Sequence, residues 1–175
     1  MPARTSASVS ELDRRGYIFF RTAGHSPKAE IAIRRFSKLG EHGLLWQGIA
    51  LAGAAADPHR RSQWLRAWAV VAGSFGANQV VKFMFRRPRP DVPELPPLMG
   101  TMSNRSYPSA HATTSAAAAR VLSPLLEPAL RSAAAPALRS AAIAMALSRL
   151  YLGVHWPSDV VAGYALGAAV GELAS

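Results

Sequence analysis

The sequence predicts an all-α protein: a polytopic membrane helical bundle of about five spans, preceded by an amphipathic helix at the membrane interface. Three observations point there. Half of the 175 residues are hydrophobic and 17% are charged, where soluble domains carry about 25%. The charge is segregated, with eight Lys/Arg in residues 1–43 and none in residues 150–175. Five apolar stretches, at 43–56, 64–85, 110–126, 137–154 and 158–174, alternate with polar connections.

The elements follow in order. Residues 1–10 read as a disordered tail. Residues 11–42 mix Leu12, Tyr17, Phe19, Phe20, Ile31, Ile33 and Phe36 with Arg and Lys. Neither half reaches the roughly 20 apolar residues of a span, so this region reads as an interfacial helix with its apolar face in lipid. An ordinary solvated surface helix is the competing reading. Residues 43–175 hold all five apolar stretches and read as one transmembrane domain. Its stretches are short and rich in Ala and Gly, which suits helices that cross a membrane packed together. In the last stretch Gly163, Gly167 and Gly171 recur every four residues, placing a close-packing seam on one face. The connection 86–109 contains Pro88, Pro90, Pro93, Pro96, Pro97 and Pro108. It cannot be regular helix and reads as a cover whose length suits mobility.

Net charge of +10 fits nucleic acid or an anionic membrane. The basic residues bracket apolar stretches and include no nucleic-acid-binding motif, so the expected partners are membrane lipids and not nucleic acid. The chain has no Cys, which excludes disulfides, thiol nucleophiles and Cys-ligated zinc. No cleavable signal peptide is apparent, so targeting rests on the internal helices.

Three separated clusters carry the chemistry. Lys82 lies inside an apolar stretch, where a charge is more often functional than structural. Arg89, seven residues on, can fork two hydrogen bonds to phosphate oxygens. Arg86 and Arg87 read as membrane anchors. Ser109 is a natural N-cap for the third apolar helix, whose N-terminus favours an anion, and His111 sits in its first turn. Arg149 ends the fourth helix. His155 follows, and Asp159 is placed to fix its tautomer. Taken singly, these are a capped helix, an incidental His and an Asp at a helix N-terminus. Helix parity brings all three clusters to one membrane face. His25, His42 and His59 lie in polar segments and read as solvated or interfacial.

Lys82-(six residues)-Arg89-Pro90, Pro108-Ser109-Ala110-His111 and Ser148-Arg149-(five residues)-His155-(three residues)-Asp159 resemble the three-part signature of the type 2 phosphatidic acid phosphatase (PAP2) superfamily. Ala110 stands where the family usually has Gly. The resemblance implies a bundle of the PAP2 type and a phosphatase that needs no metal or cofactor. His155 would attack phosphorus, Asp159 would orient it, and His111 would serve as acid and then base. Lys82, Arg89, Ser109 and Arg149 would hold the phosphate.

Family members commonly carry six spans, and this chain lacks the first. The N-terminus and the site then share a face. Of the Lys/Arg flanking the stretches, eleven fall on that face and five on the other, placing the site on the cytoplasmic side of the plasma membrane. Short form and alanine- and arginine-rich composition resemble actinobacterial enzymes that dephosphorylate decaprenylphosphoryl-5-phosphoribose in arabinan synthesis. Undecaprenyl or decaprenyl diphosphate and phosphatidylglycerol phosphate are alternative substrates, and a catalytically silent scaffold is the alternative of another class. A homo-oligomer remains open.

Overall fold

The computed structural model describes residues 5–126 and 128–174, with side chains described for 11–126 and 132–174. Seven α-helices carry it: α1 (Thr5–Thr22), α2 (Pro27–Leu39), α3 (Leu44–Ala56), α4 (Arg61–Phe85), α5 (Ala110–Leu122), α6 (Pro128–Tyr151) and α7 (Pro157–Leu173). Among the described residues there is no strand; Pro88 and Arg105 form an isolated antiparallel bridge. The last five helices track the five apolar stretches. The largest difference is α6, which starts nine residues before the predicted 137 and runs through Pro136.

α5 is the central helix. Residues 111–119 are all buried, and α5 packs against α3, α4, α6 and α7. Its Ala, Ser and Thr side chains are small enough to be enclosed on every side. The core gathers Trp46, Trp64, Val71, Leu122 and Met145 around its far end. Trp46 donates its indole N–H to Ser115 Oγ at 2.9 Å.

The glycine seam forms between α5 and α7. A Cβ on Gly163 would lie 2.5 Å from the Ser109 carbonyl oxygen; one on Gly167 would overlap the Thr113 carbonyl; one on Gly171 would lie 3.3 Å from the Ala117 carbonyl oxygen. Ser109, Thr113 and Ala117 are themselves four apart, so two stripes of period four run against each other and the backbones meet directly.

The N-terminal region differs from its predicted form. It is two helices, broken at Gly24 (φ +69°), and α1 begins at Thr5, inside the segment read as a tail; residues 1–4 lie outside the described residues. Ser26 caps α2 by accepting from the Ala29 N–H at 3.2 Å. The buried stripe of α1 is polar: Asp13, Tyr17 and Arg21, each four residues apart, face the protein. Tyr17 donates to the Leu95 carbonyl at 2.7 Å and Arg21 to the Pro96 carbonyl at 2.8 Å. The apolar residues Leu12, Phe19, Ile31 and Leu39 face outward. The helices are amphipathic: Phe20 and Phe36 pack against the apolar clusters of the bundle, and the polar stripe of α1 docks through its hydrogen bonds to the proline-rich connection.

The five-span expectation meets the helix lengths. α3 and α5 have 13 residues each and α7 has 17, or roughly 20–26 Å at 1.5 Å per residue. α4 is long enough but carries Arg66, Asn78, Gln79 and Lys82. Among the described residues, no helix is long and apolar enough to cross a membrane.

Candidate active site

α4 ends at Phe85, and Arg86 takes a left-handed conformation (φ 48°) that turns the chain sharply. Lys82 and Arg89 therefore do not share a helix face as predicted. The turn brings Arg89 back over the site, where the isolated Pro88–Arg105 bridge holds the returning segment of the connection. Ser106 reinforces this with its N–H on the Arg87 carbonyl at 2.8 Å and its hydroxyl on the Pro88 carbonyl at 2.8 Å. The connection is thus pinned along its length, including Leu98 N–H to the Leu152 carbonyl at 2.9 Å.

Lys82, Arg89, Ala110, His111 and Arg149 line one cavity of about 280 Å³. Three cations from three segments face one space. Ser109, His155 and Asp159 are buried and do not line that cavity. His155 touches it through Arg89, whose Nη1 lies 3.2 Å from His155 Nε2 and donates to the Val154 carbonyl at 2.5 Å. Arg89 Nε donates to the Ser103 carbonyl at 2.8 Å.

This contact settles the tautomer of His155. Arginine only donates, so Nε2 accepts and Nδ1 carries the proton. Nδ1 faces Asp159 Oδ2 at 3.5 Å. Burial, reinforced by the charges of Arg89, Arg149 and Lys82, holds the imidazole well below its usual 6.5. At neutral pH His155 is therefore uncharged, with a lone pair on Nε2. Burial also lowers the Arg89 guanidinium to about 10, the Asp159 carboxylate partly opposing the shift; it stays charged at neutral pH.

Asp159 is fixed at both oxygens. Oδ2 accepts the Trp156 N–H at 2.9 Å and Oδ1 accepts Arg87 Nη1 at 2.9 Å. Arg87, read from sequence as a membrane anchor, is instead the centre of a partly buried network. Its Nη1 also donates to Ser158 Oγ at 2.6 Å and its Nη2 to Asp13 Oδ2 at 2.6 Å. Asp13 in turn accepts the Ser158 N–H at 2.9 Å.

Ser109 occupies the N-cap position of α5 but makes no side-chain cap bond. Its hydroxyl is buried without a partner, while its N–H donates to the Asp159 carbonyl at 2.9 Å. Arg149 Nε is likewise buried and unpartnered. Buried polar atoms left without partners are costly; two of them here belong to residues assigned to anion binding.

Ser37, on α2, escaped sequence reasoning. It is fully buried. Its hydroxyl accepts from Arg149 Nη1 at 2.6 Å and its carbonyl lies 3.0 Å from His111 Nε2. A carbonyl only accepts, so Nε2 of His111 carries a proton and Nδ1 remains for proton exchange. His42, set aside as solvated, lines the cavity together with Glu41. Among the described residues no group of three or more His, Asp or Glu is placed to hold a metal ion.

The PAP2 superfamily model matches residues 63–175, which hold every residue of the three clusters. The decaprenylphosphoryl-5-phosphoribose phosphatase of Mycobacterium tuberculosis (strain CDC 1551 / Oshkosh) is 43% identical over 143 residues, covering 80% of this chain and 75% of that protein. The protein of the same name from Mycolicibacterium smegmatis is 44% identical over 133 residues, 74% of this chain and 68% of its own length. Among solved structures, a transmembrane PAP2-type phosphatidylglycerolphosphate phosphatase from Bacillus subtilis superposes with a TM-score of 0.77 at 24% identity, covering 98% of this chain and 85% of that one. The matched family model and the curated relatives agree with the cluster spacing: the chain belongs to the PAP2 superfamily.

Proposed function

We propose that the protein is a lipid phosphate phosphatase that removes the 5-phosphate of a polyprenyl-phospho-pentose, decaprenylphosphoryl-5-phosphoribose being the best-supported substrate. The observation that carries the phosphatase reading is the convergence of Lys82, Arg89 and Arg149 with His111 on one cavity, with neutral His155 directly against Arg89. The substrate reading is supported by the names of the curated relatives.

The family resemblance, together with the contacts above, supports the following mechanism. A phosphoryl group entering the cavity takes the guanidinium of Arg89 and frees Nε2 of His155. Nε2 attacks phosphorus, forming an N–P bond as the P–O bond to the sugar breaks. His111, its Nε2–H held by the Ser37 carbonyl, takes onto Nδ1 the proton that the phosphomonoester monoanion brings in and gives it to the departing oxygen. Asp159, its Oδ2 3.5 Å from Nδ1 of the imidazole, offsets the positive charge that develops there. Lys82, Arg89, Arg149 and the Ser109 hydroxyl carry the charge on the equatorial oxygens. Water then attacks phosphorus, His111 takes its proton, the N–P bond breaks, and inorganic phosphate leaves. The sum is ester plus water giving alcohol plus phosphate.

Membrane association is supported by large apolar side chains on the surface, among them Val80, Phe83, Met84 and Phe85 near the site and Val161 on α7. The excess of Lys/Arg on the predicted site face supports a cytoplasmic site. Cysteine introduced at position 105 and labelled in intact spheroplasts tests this; labelling from outside contradicts it. The substrate test is phosphate release by purified protein from the pentose 5-phosphate lipid, polyprenyl diphosphate and phosphatidylglycerol phosphate. Preference for the first is expected, and release from diphosphates alone contradicts the proposal.

A further inference from the structure

The cavity contains one carboxylate that phosphate chemistry does not call for. Glu41 opens the 3₁₀ turn Glu41–Gly43 after α2 and lines the same space as Lys82, Arg89 and Arg149. Among the described residues its carboxylate makes no hydrogen bond and no contact ion pair, its charge acting on Arg149 only at longer range. Like charge beside a phosphate subsite weakens phosphate binding, so its position requires another reason.

The place of Glu41 along the reaction coordinate supplies one. Its neighbour Gly40 lies against the acid/base histidine: a Cβ there would come within 2.9 Å of His111 Cδ2. Ser37, one turn earlier, holds the same ring through its carbonyl. The segment carrying Glu41 therefore borders the acid/base histidine within the cavity, which His155 does not line. Uncharged hydrogen-bonding groups, Gln79, Thr101 and Ser103, line the same cavity.

We propose that Glu41 is a specificity-determining residue that accepts hydrogen bonds from hydroxyl groups of the departing alcohol, selecting a polyhydroxylated head group and rejecting a second phosphate. An ionised carboxylate only accepts, and each sugar hydroxyl can donate to it in a charge-assisted bond. Vicinal hydroxyls engage both oxygens at once. A diphosphate would place its second phosphate in the same region, where the carboxylate repels it. This inference rests on the sugar-phosphate reading above and deepens it.

The test measures kcat/KM of purified full-length wild type, Glu41→Gln and Glu41→Ala for the pentose 5-phosphate lipid and for polyprenyl diphosphate in the same micelles. Losing a charge-assisted bond costs about tenfold, so the sugar-to-diphosphate ratio should fall at least about tenfold in both variants. Loss of folded protein cancels in that ratio. A 2-deoxypentose 5-phosphate lipid should be a poorer substrate than its hydroxylated parent for wild type, and an equal one for Glu41→Ala. A ratio unchanged in both variants, with wild type active on the sugar phosphate, overturns the role of Glu41 alone. Wild type inactive on the sugar phosphate overturns the substrate reading and this inference together.

Discussion

Arg87 Nη1 donates to Asp159 Oδ1 at 2.9 Å, and through this bond the buried carboxylate behind His155 is neutralised by a cation outside the phosphate cavity. Asp159 is fully buried, and removing the partner of a buried charge is costly. Arg87→Ala should lower kcat about tenfold or more, with KM little changed and the melting temperature reduced. Arg87→Lys should recover part of the kcat, since a point charge cannot fork between Asp159 and Asp13. If kcat per folded molecule is unchanged in Arg87→Ala, the pair serves stability only.

Ser37 ties α2 to the phosphate site. Ser37→Ala removes the oxygen that accepts from Arg149 Nη1 but keeps the carbonyl that holds His111. A hydrogen bond to a charged group contributes about 1.5–3 kcal/mol, so phosphate binding should weaken roughly 10- to 100-fold. KM should rise more than kcat falls. Steady-state kinetics on a soluble phosphate ester and on the lipid check this; an unchanged KM for both contradicts the tether.

The α5–α7 seam predicts opposite outcomes for two glycine substitutions. Gly167→Ala drives a methyl into the Thr113 backbone, which cannot yield as a side chain can, and should destabilise by about 1–3 kcal/mol or more. Gly73→Ala, on α4 with nothing within 4 Å of its Cβ, should stabilise by up to about 1 kcal/mol. Thermal unfolding in detergent compares them. Equal melting temperatures would remove the close backbone approach.

The pH dependence follows from His155. Its folded value lies well below 6.5 because the charged form is disfavoured. Activity needs the neutral ring, so the acid limb of kcat/KM set by His155 should lie well below 6.5. Stability has the same sign: below about 6.5 the unfolded chain takes a proton that the folded ring refuses, so stability falls as pH drops through that window. His155→Asn should flatten the dependence of melting temperature on pH between about 5 and 7; an identical slope contradicts the assignment. On the alkaline side Arg89 should lose its charge only as pH rises through about 10.

What the sequence made legible was local. The motif spacings and the period-four glycines are set within one helix or turn, and both survive in the structure. The arrangements it hid join residues far apart in the chain: Ser37 with Arg149, Asp13 and Arg87 with Asp159, and Glu41 with the cations. The α1 stripe Asp13, Tyr17, Arg21 was readable by its spacing of four. The reading of residues 11–42 concerned the apolar side, set toward lipid; Leu12 and Phe19 are exposed. Lys82 and Arg89 line one cavity, but a left-handed turn at Arg86, not a shared helix face, unites them. Ser109 was placed at its N-cap, yet only the folded structure shows its hydroxyl unused by the helix.

The central claim is that His155 becomes phosphorylated during turnover. Rapid quenching with lipid substrate labelled in the 5-phosphate, followed by peptide mapping, tests it most directly. The predicted result is an acid-labile, base-stable phosphate on the peptide containing His155, absent from His155→Ala, which should also release no phosphate. Turnover by His155→Ala at the wild-type rate, or label recovered on His111 instead, would contradict it.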